Sequence, residues 1–386
     1  MKLALASLHP RRLSGQIESL LALGTALQEI GHAVSLFSPM GEGAALSLHS
    51  GDSDFYPNGH GPLVGSLGRM MRVLVRLTQV QREVDLIHLA LPTPAFAWMG
   101  DYLRARVTRP LVIGFEGQLA PLSQVLPRLP TAPRFYGPRA LFNNRWVARL
   151  SRFTSLRYIV STLVQAEELT GLGVAPGRIV VLPNLSLLAP RDSRTPRHVT
   201  SVPWVTYIGH YHPVKGVDVL LRAFPLVGRE IPEAQLVLAW SGIGDPRPVY
   251  RLIGQLGMAA QTIHLGKISV PELLSASRVL AFPYRLSIGQ NLYPNLLLSA
   301  LGTGVPLVST ELPAFRELLR DQETALLVPP EDAQSLAEAI LRLLRDVPLA
   351  RRMVAQQREF AREHLAPRRL ARAYADMYHQ VLDEGR

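Results

Sequence analysis

Tyr207-Ile208-Gly209-His210-Tyr211-His212-Pro213-Val214-Lys215-Gly216-Val217-Asp218-Val219-Leu220-Leu221-Arg222-Ala223-Phe224 is the densest signal in this 386-residue chain. An apolar run ends in a glycine, a short loop presents Lys-Gly, and apolar residues then recur at helical spacing. The segment reads as strand, loop and helix. Glycine lets a backbone approach a ligand closely. A helix start beside the Lys215 ammonium favours an anion such as a diphosphate. Taken alone, the segment leaves two readings open: a phosphate-binding loop, or an ordinary strand–helix turn that contains Gly and Lys.

The same alternation repeats on both sides of this loop. Downstream, 204–209, 235–240, 262–266, 278–283, 305–310 and 325–328 read as short strands. Helices fit between and after them at 217–229, 248–256, 271–276, 296–301, 313–319 and 333–345. Upstream, 2–8, 33–38, 84–91, 111–116, 157–161 and 178–183 are β-rich and apolar on both faces, which suits parallel strands covered by helices on each side. Ile17, Leu20, Leu21, Leu27 and Ile30 fall at helical spacing before Gly31, a natural helix stop. Residues 188–200 are rich in Pro, Arg and Ser, lack periodicity and predict a linker.

Two alternating series predict an α/β chain of two doubly wound, Rossmann-like domains, residues 1–190 and 201–365. Ligands are then expected at the carboxyl ends of the strands, in a cleft between the domains. Residues 351–382 read as a helical stretch interrupted at Pro367, and 366–386 as a C-terminal helix docking back on the first domain.

Composition agrees with two cores. Hydrophobic residues make up 47% and charged residues 18%, far from a disordered composition. The absence of cysteine excludes a disulfide scaffold, a thiol nucleophile and a thiolate metal site. The apolar start, Met1 to Leu8, meets His9-Pro10-Arg11-Arg12 too early for a secretory leader and reads as a buried strand. Pro92 and Pro94 interrupt the best apolar stretch, near 90–99, short of the roughly 18 residues a spanning helix needs. A cytoplasmic protein is expected, soluble or attached peripherally at the inner face of the membrane.

The formal charge of +11 is uneven. Residues 1–200 hold 21 Lys+Arg against 12 Asp+Glu (+9), and residues 201–386 hold 20 against 18 (+2). From Arg104 to Arg157 there are ten arginines and one acid, Glu116. Arg69, Arg72 and Arg76 share one helical face, and Leu67, Met70, Leu74 and Leu77 another. A basic amphipathic helix of this kind suits an anionic membrane surface; a solvated basic face in an arginine-rich proteome is the alternative. Nucleic acid is not expected, because no binding module is present and aromatic interleaving is sparse.

Further segments follow the opening loop in fixed order. They are Val237-Leu238-Ala239-Trp240-Ser241-Gly242-Ile243-Gly244, Ile263-His264-Leu265-Gly266, Pro271-Glu272-Leu273-Leu274 and Ala281-Phe282-Pro283-Tyr284, then Pro294-Asn295 through Gly304-Val305-Pro306, then Glu317-Leu318-Leu319 and Leu327-Val328-Pro329-Pro330-Glu331-Asp332. This ordered set resembles the donor-binding domain of retaining, GT-B-fold glycosyltransferases of family 4. Ser14-Gly15, Gly31-His32-Ala33-Val34, Asp85-Leu86-Ile87-His88, Val160-Ser161 and Val181-Leu182-Pro183-Asn184 fit the family's first half more loosely.

The resemblance implies transfer of a sugar from a nucleotide-diphosphate sugar, UDP- or GDP-linked, with retention. The acceptor would be a lipid-linked or polysaccharide intermediate. Lys215 would neutralise the diphosphate as the glycosidic bond breaks, a role whose loss raises the barrier by about 3 kcal/mol. Gly209, Gly242, Gln290, Asn291, Leu292, Tyr293 and Ser299 join Lys215 as donor-binding residues; Ser14, Gly15, His88 and Glu116 fall on the acceptor side. No cofactor and no metal are expected: a paired-carboxylate metal motif is absent, and His210 and His212 lack a third ligand at suitable spacing.

The sequence departs from the family at charged positions. His210 stands where the family has arginine, and keeps one hydrogen-bond donor with fractional charge. Asn291 and Ser299 stand where it has two glutamates eight positions apart, and neutral groups bond roughly half as strongly as carboxylates. Glu116 stands near the place of a frequent histidine; it is either an acceptor of the incoming hydroxyl's proton or an ordinary polar strand end. Lys215, Glu116 and His210 are thus the catalytic candidates, while His88 reads as structural. These departures keep a second reading open, a catalytically degenerate GT-B-fold protein serving as a binding or partner subunit.

Overall fold

The computed structural model of the chain describes residues 1–9, 15–38, 41–43, 63–142, 145–149, 156–186, 202–266, 269–288 and 292–384. Residues 188–200, expected as a linker, lie outside these, as do Ser14, Gln290 and Asn291.

The first half forms a sheet from β1 (Lys2–Ser7), β2 (Ala33–Ser38), β3 (Gly41–Gly43), β4 (Leu86–Leu91), β5 (Leu111–Phe115), β6 (Arg157–Val160) and β7 (Ile179–Val181), in the order β3-β2-β1-β4-β5-β6-β7. Its pairs are parallel except β2 with β3. The second half forms a sheet from β8 (Trp204–Tyr211), β9 (Gln235–Gly244), β10 (Thr262–Leu265), β11 (Val279–Phe282), β12 (Leu307–Thr310) and β13 (Leu326–Val328), in the order β10-β9-β8-β11-β12-β13, all parallel. Each strand read from sequence is present. The added edge strand β3 is three residues long, too short to carry a readable period. In each sheet the strand order reverses beside the first strand, at β1/β4 and at β8/β11, and connections leaving in opposite directions open a crevice there.

Strand alternation sorts the first core into two layers. Ala4, Ile87 and Ile113 pack on one side with Met70, Leu74 and Leu77 of the helix Leu63–Val80. Leu3, Leu5 and Val112 pack on the other with Ile17, Leu20 and Leu27 of the helix Gly15–Glu29. Leu370, Tyr374, Met377 and Tyr378 of the last helix, Pro367–Glu384, belong to that second layer. Pro367 opens this helix at a position where its missing N–H breaks no bond. The stretch read as one interrupted helix is therefore two, Val347–His364 and Pro367–Glu384, and Leu349 and Met353 of the former pack in the second half.

Along the helix Leu63–Val80 the apolar face divides: Met70, Leu74 and Leu77 pack in the first core, whereas Leu67 is 46% exposed and falls outside that cluster. With Val75 (44% exposed) it stands among the exposed Arg72 and Arg76. Among the described residues no helix is long and apolar enough to cross a membrane.

Candidate active site

The loop after β8 is built by close backbone contacts. The buried Tyr207 hydroxyl donates to the His210 carbonyl at 2.7 Å and holds the end of the strand. Beyond it, Tyr211 pairs with Gly244 of β9 after an irregularity in register, and a side chain at Gly244 would stand 2.2 Å from the Tyr211 carbonyl oxygen. Pro213–Lys215 form one 3-10 turn, and Gly216, at φ 65°, starts the helix Val217–Glu230. A Cβ on Gly216 would lie 1.8 Å from the carbonyl oxygen of Pro283. Only glycine lets this turn press against the end of β11.

That pressure sets Lys215. Its side chain is buried, 7% exposed, with Nζ 3.9 Å from the centre of the Tyr284 ring, a cation–π contact. Among the described residues no carboxylate pairs with it. Burial pushes its pKa down to about 7, since the charged form loses its water. A buried ammonium supported by one ring face is short of charge compensation, and an anion would supply it.

Arg285, one residue beyond Tyr284, is the opposite case, and sequence reasoning missed it. It donates to the Pro213 carbonyl at 2.6 Å, pairs with Asp218 at 2.9 Å and with Glu331 at 2.6 Å. Its charge is taken up in clamping the loop. Asp218 at the start of the helix was the available signal, but its partner lies 67 positions away.

His210 is tied sideways, its Nδ1 hydrogen-bonded to the Ser241 hydroxyl of β9. That brings it beside Gly242, which has φ 78°, in a turn held by the Trp240 indole donating to the Ile243 carbonyl at 2.9 Å. The His210 and His212 rings are 5.8 Å apart. Among the described residues no three His, Asp or Glu side chains come together as metal ligands would.

Three further donor-side candidates are buried. Leu292 and Tyr293 are buried, at 0% and 4% exposure. Ser299, on the helix Asn295–Thr303, has no exposed surface; its hydroxyl donates to the Asn295 carbonyl at 2.7 Å and meets the Ser186 hydroxyl of the first half at 3.1 Å. Spacing identifies the face of a helix, not what covers it. Here the first half covers it.

The two halves meet through several such contacts. Asn295 donates to the carbonyl of Gly15 at 3.0 Å and to Glu18 at 3.2 Å, and accepts from the Ser19 hydroxyl at 3.1 Å. Gly15 thus lies at the cleft, opposite the first residue of the helix Asn295–Thr303. The Ser287 hydroxyl donates to Gln118 at 3.0 Å. Val214 and Ile288 share an apolar cluster with Ala120, Val125, Phe135 and Tyr136.

Glu116 follows β5 at this junction, half-buried, and its carbonyl accepts from Leu292 N–H at 3.4 Å. Burial, with the nearby Glu18 charge adding to it, pushes its carboxyl up to about 8. His88 is buried behind it: Nδ1 meets the Tyr378 hydroxyl at 2.8 Å, the ring stacks near Tyr374, and burial pushes its pKa down to about 4. That holds the imidazole in its neutral form. His88 and Glu116 line one cavity of about 30 Å³ with Ser19, Asn184 and Tyr374.

Known proteins resemble this chain in sequence and in fold. Residues 202–346 match the family described as Glycosyl transferases group 1, and residues 13–185 match Glycosyltransferase Family 4. A phosphatidyl-myo-inositol mannosyltransferase of Mycobacterium leprae is 32% identical over 211 residues, 54% of each chain. The chain spans about half the length of the curated relatives it matches, or less. Among solved structures, a sucrose-phosphate synthase from Thermosynechococcus elongatus superposes with a TM-score of 0.76 at 20% identity, covering 100% of both chains. Anabaena HepE, solved in complex with UDP-glucose, superposes with a TM-score of 0.71 at 16% identity, covering 98% of this chain and 100% of that one. Two crevice-bearing sheets facing each other, with both family matches in their expected halves, lead to one assignment: the chain belongs to the group 1 (family 4) glycosyltransferases of GT-B fold.

Proposed function

We propose that the chain transfers a hexosyl group from a nucleotide-diphosphate sugar to an acceptor held against its first half, with retention and without a metal ion. The observation that carries this is the buried ammonium of Lys215, without a carboxylate partner among the described residues, at a glycine-shaped loop and helix start. In the reaction the bond from the anomeric carbon to the diphosphate oxygen breaks, and a bond from the acceptor oxygen to that carbon forms. Lys215 stabilises the negative charge that develops on the leaving diphosphate, whose own charge holds the lysine protonated. His210 and the backbone around Gly209 and Gly242 offer further donors. The acceptor proton passes to the ionised form of Glu116, a minority near pH 7 at a pKa of about 8 but a stronger base than an ordinary carboxylate.

This reading divides the chain into an acceptor domain (residues 1–190), a donor domain (201–365) and a C-terminal helix (366–386). The basic first half, with Leu67, Arg72, Val75 and Arg76 exposed on one helix, supports an acceptor met at an anionic membrane surface inside the cell. The name of the mycobacterial mannosyltransferase relative supports a lipid-linked acceptor, and the HepE complex supports a UDP-linked donor, with GDP the alternative.

A second reading has its own observation. Ser299 is sealed, and His210 is engaged by Ser241, which suits a donor fold that binds without turning over. Calorimetry against UDP-, GDP- and ADP-sugars, followed by assays of hydrolysis and transfer, separates the two. Binding with turnover, both lost in Lys215→Ala, supports the enzyme; binding without turnover supports the partner subunit. No binding to any nucleotide sugar sinks the enzyme.

A further inference from the structure

The short helix Leu163–Gly171 of the first half is held at its start by one carboxylate and carries another, Glu168, that reaches toward the junction. At its start, Glu317, from the helix Pro313–Leu318 of the second half, accepts the N–H of Leu163 at 2.6 Å and that of Val164 at 2.9 Å, one with each oxygen. These are two of the helix's orphan donors, and the partial positive charge there favours the carboxylate. Thr162 caps a third, the N–H of Gln165, from within the first half. Glu317 also receives a hydrogen bond from the Tyr293 hydroxyl, at the far end of the loop after β11.

Further along the same helix, Glu168 reaches the other side of the junction. Its side chain is 3% exposed, and one oxygen accepts the N–H of Leu119 at 3.2 Å. Leu119 follows Gln118, which accepts from Ser287 at 3.0 Å and forms a bridge with Ile288, at the near end of the loop after β11. Glu116, three residues before Leu119, accepts from Leu292. Contacts therefore run from Ser287 and Ile288 through Gln118, Leu119 and Glu168 along the helix to Glu317 and Tyr293. Both described ends of one donor-side loop are fastened to a single helix of the opposite half.

We propose that Glu317 is a positioning residue, fixing the helix Leu163–Gly171 so that Glu168 holds the segment from Glu116 to Ala120 in register with the donor-side loop. Glu317 touches neither substrate in this scheme. It acts through the helix cap, and Tyr293 couples the state of the loop to it. The consequence for the reaction rests on the donor-site reading of that loop; the mechanical coupling does not.

Hydrogen exchange at single amides of the full chain tests both parts. In Glu317→Ala, exchange at Leu163 and Val164 should quicken about tenfold or more, the loss of a charged acceptor. Exchange at Leu119, which Glu317 does not touch, should quicken at least threefold with it. Glu317→Gln, which keeps one neutral acceptor, should show the same pattern with smaller changes, and it stands in if the alanine variant does not fold. Quickening confined to Leu163 and Val164 overturns the proposal, because Glu317 is then a local cap. With UDP added, wild type should slow exchange at Leu119 and Glu317→Gln should not; equal slowing in both also overturns it. If UDP does not bind wild type, the donor-site reading suffers, and the nucleotide-free comparison by itself decides whether the coupling exists.

Discussion

The Nζ atom of Lys215 stands 3.9 Å from the centre of the Tyr284 ring, inside the structure and without a carboxylate partner among the described residues. Burial sets its pKa near 7, so its charge, and with it anion binding, is present below that pH and fades above it. Nucleotide affinity should fall as pH rises from 7 to 9, by up to about tenfold per unit. Calorimetry across that range should show this slope in wild type and no binding at any pH in Lys215→Ala. Binding by the variant with the wild-type slope would discard Lys215 as the titrating cation.

The same burial makes Lys215 a burden on the fold. Its folded pKa is depressed from 10.5 to about 7, so the stability linked to the neutral lysine is present above the unfolded pKa and is lost as pH falls from 10.5 to about 7. Lys215→Met should therefore raise stability near pH 7 by on the order of 2 kcal/mol. The full shift overstates the gain, because the attraction to Tyr284 disappears too. Urea denaturation at pH 7 checks this, and a destabilised variant would contradict it.

Gly216→Ala should behave differently. The added carbon meets the Pro283 carbonyl oxygen at 1.8 Å, at φ 65°, so the turn must move off β11. A loss above about 3 kcal/mol is expected, together with loss of nucleotide binding. A soluble alanine variant with wild-type melting would show that the loop is not held as described.

Glu168 gives a pH signature of opposite sign. Its side chain is 3% exposed, and burial pushes the carboxyl from 4.5 up to about 7. Its contribution is fully present below about pH 4.5 and is lost as pH rises to about 7. Glu168→Gln, which keeps an acceptor for Leu119, should match wild type near pH 4.5. At pH 8 it should exceed it by roughly 2–3 kcal/mol. A constant difference across this range would place the effect elsewhere than the buried charge.

The strands were legible because buried parallel strands are uninterrupted apolar runs, and the Lys215–Gly216 loop because glycine and a helix start are local features. What covers each face was not legible. Ser299 lies on the helix face its spacing assigns, but Ser186, 113 positions away, closes over it. Leu67 fits the apolar period of its helix and still projects into solvent. Arg285 and Glu317 carry ordinary surface residue types, and only the tertiary approach of distant backbone makes one a clamp and the other a cap. Periodicity encodes direction around an element; partnership across half the chain leaves no local mark.

The last helix, Pro367–Glu384, carries a consequence for biosynthesis. Leu370, Tyr374, Tyr378 and Val381 complete a layer whose other members, Leu3, Leu5 and Ile17, are translated more than 350 residues before them. The first half must wait, with part of its apolar surface uncovered, until the whole second half has been translated. The second half, synthesised later, can finish folding earlier. Proteolytic loss of the segment from Pro367 onward would uncover that layer again and strip the His88 ring of its Tyr378 partner.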